Sequence, residues 1–201
     1  MWFYKFISYL FHPVFIPFFG TCLYFLIFPL NIDSYQVQII LTYIFLGTVV
    51  VPTLFLRLLK HFKLIESFQI PSVNERKLPI LFFLLISFLA TKILSSYRIL
   101  PDLTIMFIGI TFISLIAYFF ISLKFKISLH AISIGGVIGV ILALSKLYRM
   151  NLIFLISILF LIAGIIISSR LKLRVHSNLE VYLGFVLGIT IQYGIFYYYS
   201  I

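Results

Sequence analysis

The chain has 201 residues, 63% of them apolar and only 10% charged, with a mean hydropathy of +1.22. A water-soluble domain needs more polar surface than this to cover its core, so soluble enzymes and soluble binding modules are excluded. The length accommodates six or seven membrane-spanning helices of ~20 residues and little else.

The first apolar stretch, 7–30, is interrupted by Pro13 and Pro17, which predict a kink or break and a re-entrant or interfacial start. One lysine precedes them and no small-residue cleavage site follows, so the segment reads as a first helix rather than a removed signal. Cys22, the only cysteine, lies within it, which leaves no intrachain disulfide and no thiolate metal site. Six further apolar stretches follow at 37–59, 78–96, 103–123, 128–145, 152–168 and 179–199. The polar breaks at 31–36, 60–77, 97–102, 124–127, 146–151 and 170–178 are too short for a soluble domain. The expected fold is all-α: one polytopic transmembrane bundle over 1–201, with six to seven spans. Strands have no place in it, because an open sheet edge in lipid leaves backbone groups unpaired.

Counting crossings puts the breaks at 60–77, 124–127 and 170–178 on the side of the N-terminus. That face carries Lys5, Arg57, Lys60, Lys63, Arg76, Lys77, Lys124, Lys126, Arg170, Lys172 and Arg174. The other keeps Lys92, Arg98, Lys146 and Arg149. Eleven against four makes the richer face cytoplasmic by the positive-inside rule. The same distribution explains the net charge of +10 without nucleic acid, since no basic–aromatic interleaving marks a soluble face. Lys92 and Arg98 read as snorkelling cations, and Asp33, Asp102, Lys146 and Arg149 as loop charges. Tyr193, Tyr197, Tyr198 and Tyr199 read as an interfacial belt.

His61, His130 and His176 belong to the richer face and His12 lies near it. His12 and His61 read as minor headgroup contacts. Ser128-Leu129-His130 opens one helix, Ser169-Arg170 closes another, and Glu180 follows His176 by four residues. A helix starting near His176 stacks Glu180 on the same face, where a carboxylate fixes which imidazole nitrogen is free. Arg170, Lys172 and Arg174 supply cations for an anion clamp. On residue types alone, an interfacial His–Glu pair beside topogenic arginines explains the same facts.

A longer pattern favours chemistry. Ser169-Arg170, five residues, His176, three residues, Glu180 resembles the third signature of the type 2 phosphatidic acid phosphatase superfamily, which ends in aspartate. Ser128-Leu129-His130 resembles its second, Pro-Ser-Gly-His, and the 38 residues between His130 and Ser169 fit the family's separation. Asn74-Glu75-Arg76-Lys77-Leu78-Pro79 resembles the first, lysine, six residues, Arg-Pro, giving a signature region of 69–184. Glu180 stands for the aspartate, Ile127 and Leu129 for proline and glycine, and Gln69 for the lysine.

The resemblance implies an integral membrane lipid phosphatase of phospholipid metabolism acting through a phosphohistidine. His176 would attack phosphorus, Glu180 orient it, and His130 protonate the leaving alcohol. Arg170, Arg76 and Ser128 would bind the phosphoryl oxygens, with Ser169 and Lys77 in lesser roles. No cofactor or metal is implied, since arginines supply the positive field. The implied partners are the bilayer and a lipid phosphate: phosphatidate, phosphatidylglycerophosphate or a polyprenyl diphosphate. The implied location is a bacterial inner membrane, multi-pass; charge bias puts the N-terminus and site face on the cytoplasmic side, whereas many bacterial lipid phosphatases of this resemblance face outward. A rival reading is a non-catalytic lipid-phosphate binder or transporter of the same fold. A third is a bundle whose basic face only sets topology. Gly135-x-x-x-Gly139 and Gly184-x-x-x-Gly188 are spaced for close helix packing.

Overall fold

The computed structural model describes residues 1–28, 32–68, 70, 72–96 and 100–199, and all its regular elements are helical. Gln69 and Arg98 lie outside the described residues. Six helical segments are long and apolar enough to cross a bilayer: Ser34–His61, Asn74–Ser96, Pro101–Ser122, Leu129–Leu147, Ile153–Lys172 and Asn178–Tyr199. Helix satisfies every interior backbone group within its own segment, which is what hydrocarbon demands.

The first stretch is not one span. It divides into α1 (Trp2–Leu10) and α2 (Ile16–Ile27), separated by a turn around His12 and Pro13. Pro13 cannot donate the backbone hydrogen bond that a continuous helix needs there. Pro17 falls in the first turn of α2, where a missing N–H costs nothing. α1 exposes Trp2, Phe3, Phe6 and Tyr9 and buries Ile7 and Ser8 against the bundle, an amphipathic pattern suited to an interface. α2 then runs from one end of the molecule to the other. Beside its start the His12 ring meets the His130 ring edge-on, 5.6 Å between centroids. Near its end Tyr24 donates to Asp102 at 3.4 Å, and Phe28 packs on Tyr148.

Asp102 therefore departs from the loop-charge expectation. It is buried and accepts hydrogen bonds from both Tyr24 and Tyr148, tying α2, the Pro101–Ser122 helix and the end of the Leu129–Leu147 helix together at the end opposite His130.

α3 (Ser34–Phe45) and α4 (Val51–His61) join through a π-helical segment, Leu46–Val50. Pro52 follows at once, and the widened turn accommodates the hydrogen bond that proline cannot make. α5 (Lys77–Ser96) is headed by a 3-10 turn, Asn74–Arg76, and pairs with α6 (Pro101–Ser122). α7 (Leu129–Leu147), α8 (Ile153–Lys172) and α9 (Asn178–Tyr199) complete the order.

α7 lies at the centre. Its apolar window is 67% buried, against 17–39% for the other five spans. It packs most extensively on α9, and glycine is the reason. A Cβ on Gly135 would strike the Phe185 carbonyl oxygen, one on Gly139 the Ile189 carbonyl, and one on Gly188 the Ile132 carbonyl. At Gly184 the Ser128 carbonyl would stand 3.0 Å away. The two backbones touch along their length, as small residues permit in lipid. The start of α7 is thereby fixed beside the start of α9, with α5 beginning and α8 ending at the same end of the bundle.

Candidate functional site

His176 sits in the short connection between α8 and α9, its side chain 1% exposed. Nδ1 lies 2.9 Å from Glu180 Oε2 and 3.1 Å from the Lys126 carbonyl oxygen. Two acceptors on one nitrogen require it to carry the proton, so in the neutral ring Nε2 holds the lone pair. Burial, followed by the charges of Arg76, Arg170 and Lys126, pushes the imidazole pKa down to about 3, while the Lys126 carbonyl pulls the other way. The ring is neutral at ordinary pH.

Glu180 has a second duty. Its Oε2 also accepts the Ser177 backbone N–H at 3.1 Å, and the Ser177 hydroxyl accepts the Glu180 N–H at 3.4 Å. This is a capping box at the start of α9, a motif built from serine and a glutamate three residues later. The extra methylene relative to aspartate lets one carboxylate close the box and hold His176. The signal for this box, Ser177-Asn178-Leu179-Glu180, lies in the sequence itself.

The α7 strand of the site is tied to α9 by backbone. Ser128 N donates to the Glu180 carbonyl at 3.2 Å, and Ser128 holds the N-cap position of α7, two residues before His130, without a side-chain cap bond. His130 Nε2 donates to the Ser8 carbonyl at 3.0 Å, which leaves Nδ1 as the nitrogen able to exchange a proton.

Two arginines complete the arrangement. Arg170, 4% exposed, donates through Nη1 to the Ser8 hydroxyl at 3.1 Å, and its Nε has no partner among the described residues. Arg76, 5% exposed, donates through Nε to the Ile70 carbonyl at 2.9 Å. Among the described residues each has terminal N–H groups without a hydrogen-bond partner, and a guanidinium suits an oxyanion. Arg76, Arg170, His130, His176 and His12 line one cavity of about 170 Å³. Its deeper walls are apolar, with Ile16, Met106, Ile110 and Val140 among them and the buried Gln192 at depth.

The remaining expected residues stand elsewhere. Ser128 is fully buried outside the cavity lining, and its hydroxyl has no hydrogen-bond partner among the described residues. Ser169 turns its hydroxyl to the Ile165 carbonyl of its own helix at 2.8 Å. Lys77 is half-exposed and outside the lining. His61 is exposed on α4, away from the cavity.

Three contributors were missed. Ser8 has no motif around it. His12 was given only a minor part, yet it lines the cavity against His130. Lys126 was counted only as a topogenic charge. Its ammonium pKa is lowered by partial burial first, then by Arg76 and Arg170, with Glu180 opposing, so it shares the field of the site.

The fold and site together define a multi-pass helical membrane protein with a cationic, imidazole-lined cavity at one end of its bundle. No family model, curated protein or solved structure matches the chain.

Proposed function

We propose that the chain is a metal-independent lipid phosphatase, a divergent member of the type 2 phosphatidic acid phosphatase superfamily. The observation that carries the reading is the double anchoring of His176 Nδ1 by Glu180 and Lys126, in a cavity also lined by Arg76 and Arg170. A fixed tautomer, a lone pair on Nε2 and an unfilled cation pair are what attack on a phosphate ester requires. The apolar depth of the cavity supports a lipid, whose tail enters among the helices while its head stays with the arginines.

In this mechanism Nε2 of His176 attacks phosphorus and forms a P–N bond. The bond from phosphorus to the lipid oxygen breaks, and that oxygen takes a proton from Nδ1 of His130, which His130 has first accepted from the monoanionic phosphate head. Arg76 and Arg170 neutralise the charge on the non-bridging oxygens. Water then attacks the phosphohistidine, giving one proton back to His130, and inorganic phosphate leaves as the P–N bond breaks. Substrates of this class are phosphatidate, phosphatidylglycerophosphate and polyprenyl diphosphates. The charge bias supports a cytoplasmic site in a bacterial inner membrane.

The test is phosphate release from such lipids by purified protein in detergent. Native protein turns over and His176→Ala falls to background; equal rates defeat the assignment.

One observation favours the second reading, a lipid-phosphate binder without turnover. The Ser128 hydroxyl is buried off the cavity, in the segment where Ile127 and Leu129 stand for the family's proline and glycine. Lipid-phosphate binding that is lost in Arg170→Ala, with no phosphate released by native protein, would decide for it.

A further inference from the structure

α1 contributes nothing to the motifs, yet one of its residues touches two members of the site. Ile7 packs into the apolar cluster with Leu159, Ala163 and Ile166 of α8. That register turns the next residue, Ser8, toward the last turn of α8. Ser8 is buried; its hydroxyl accepts from Arg170 Nη1 at 3.1 Å, and its carbonyl accepts from His130 Nε2 at 3.0 Å. The Ser8 contact is the one side-chain hydrogen bond that Arg170 makes among the described residues.

We infer that Ser8 is a positioning residue of the site: its hydroxyl holds the Arg170 guanidinium at the cavity wall, and its carbonyl fixes the proton-bearing nitrogen of His130. The inference rests on the proposed role of Arg170 as a phosphate ligand. An arginine side chain has many rotamers, and ordering it at the moment of binding weakens binding. A buried hydroxyl that has already chosen the rotamer removes that cost. The two contacts are also separable by mutation, since Ser8→Ala deletes the hydroxyl and leaves the carbonyl.

The experiment compares native protein, Ser8→Ala, Ser8→Thr and Arg170→Ala, alone and with Ser8→Ala, each shown to be helical and monodisperse in detergent. One readout is lipid-phosphate hydrolysis; the other is the rate at which phenylglyoxal modifies Arg170, followed by mass spectrometry. Ser8→Ala is expected to raise KM about 3- to 10-fold, the net effect of one ordinary hydrogen bond, with kcat within about twofold. It is expected to speed Arg170 modification, and Ser8→Thr to restore both values. In the Arg170→Ala background Ser8→Ala adds nothing, because the two residues act as a unit. Native-like KM and modification rate in Ser8→Ala, tighter binding, or additive losses in the double variant would overturn the inference and leave the hydrolase reading intact. Faster Arg170 modification in Ser8→Ala, with no phosphate released by any protein, would sink the hydrolase reading and uphold the positioning role.

Discussion

Glu180 shows how one side chain serves structure and chemistry together. The carboxylate caps α9 through Ser177 and fixes His176 through Nδ1, so its substitutions separate along those lines. Glu180→Gln keeps an acceptor and a capping-box residue, and we expect an unfolding temperature near native with a clear loss of kcat. Glu180→Ala loses the box as well and is expected to cost about 1 kcal/mol of stability in addition. Thermal unfolding in detergent beside phosphate release reads both; equal stability in the two variants would count against the capping role. His176 predicts the pH response. Its folded pKa of about 3 lies below the ordinary value near 6.5, so between these limits the unfolded chain binds the extra proton. Stability from this group is complete above pH ~6.5 and declines as pH falls through the window. Native protein should lose unfolding temperature between pH 7 and pH 4.5 more steeply than His176→Gln; parallel profiles would contradict the depressed pKa. At this scale the sequence was partly legible. The His176–Glu180 spacing was readable because i,i+4 residues stack on a helix face. Ser8 was not, because its partners lie 122 and 162 positions away and no local pattern announces a contact of that range.

Among the elements, the α7–α9 pair determines whether the site exists. Its glycines bring Ser128, His130 and Glu180 within backbone reach, so bulk there should act on fold and site at once. Gly188→Val places two methyl groups and a Cβ against the Ile132 carbonyl, where backbone must move. We expect a loss of about 3 kcal/mol and a fall in the yield of monodisperse protein. Gly164 is the control, since nothing stands within 4 Å of its Cβ position. Gly164→Ala, within α8, is expected to be neutral or to stabilise by up to about 1 kcal/mol. Equal behaviour of the two variants in thermal unfolding would refute the close-packing account. The spacing of these glycines was visible in the sequence, but which helix faced which was not, because hydropathy carries no information on neighbours. The break between α1 and α2 was foreshadowed by Pro13 and Pro17. What hydropathy hid was its consequence: a short amphipathic helix laid against α8 instead of a seventh full-length span. Asp102 was hidden for a similar reason. Its place at a helix start looked solvent-exposed until Tyr24, on a distant element, was brought over it.

For the whole molecule, six apolar spans follow from the need of each backbone group for a partner in lipid, and they were legible from composition and periodicity. The proposed cytoplasmic placement of the site rests on eleven basic residues against four. Lys172 is exposed at the end of α8, and in intact cells Lys172→Cys is expected to resist an impermeant thiol reagent. Ready modification would place the site outward. The crossing count put three chain-distant segments on one face, but their convergence into one cavity was not legible from hydropathy, because packing topology is not written in any single helix. The central claim is that His176 carries the phosphoryl group, and it has a direct measurement. Protein mixed with lipid phosphate labelled in its scissile group is quenched in alkali, where phosphohistidine survives, and digested. The account predicts label on the peptide containing His176, absent in His176→Ala. Sustained phosphate release with no labelled peptide, or with His176→Ala as active as native protein, would contradict it.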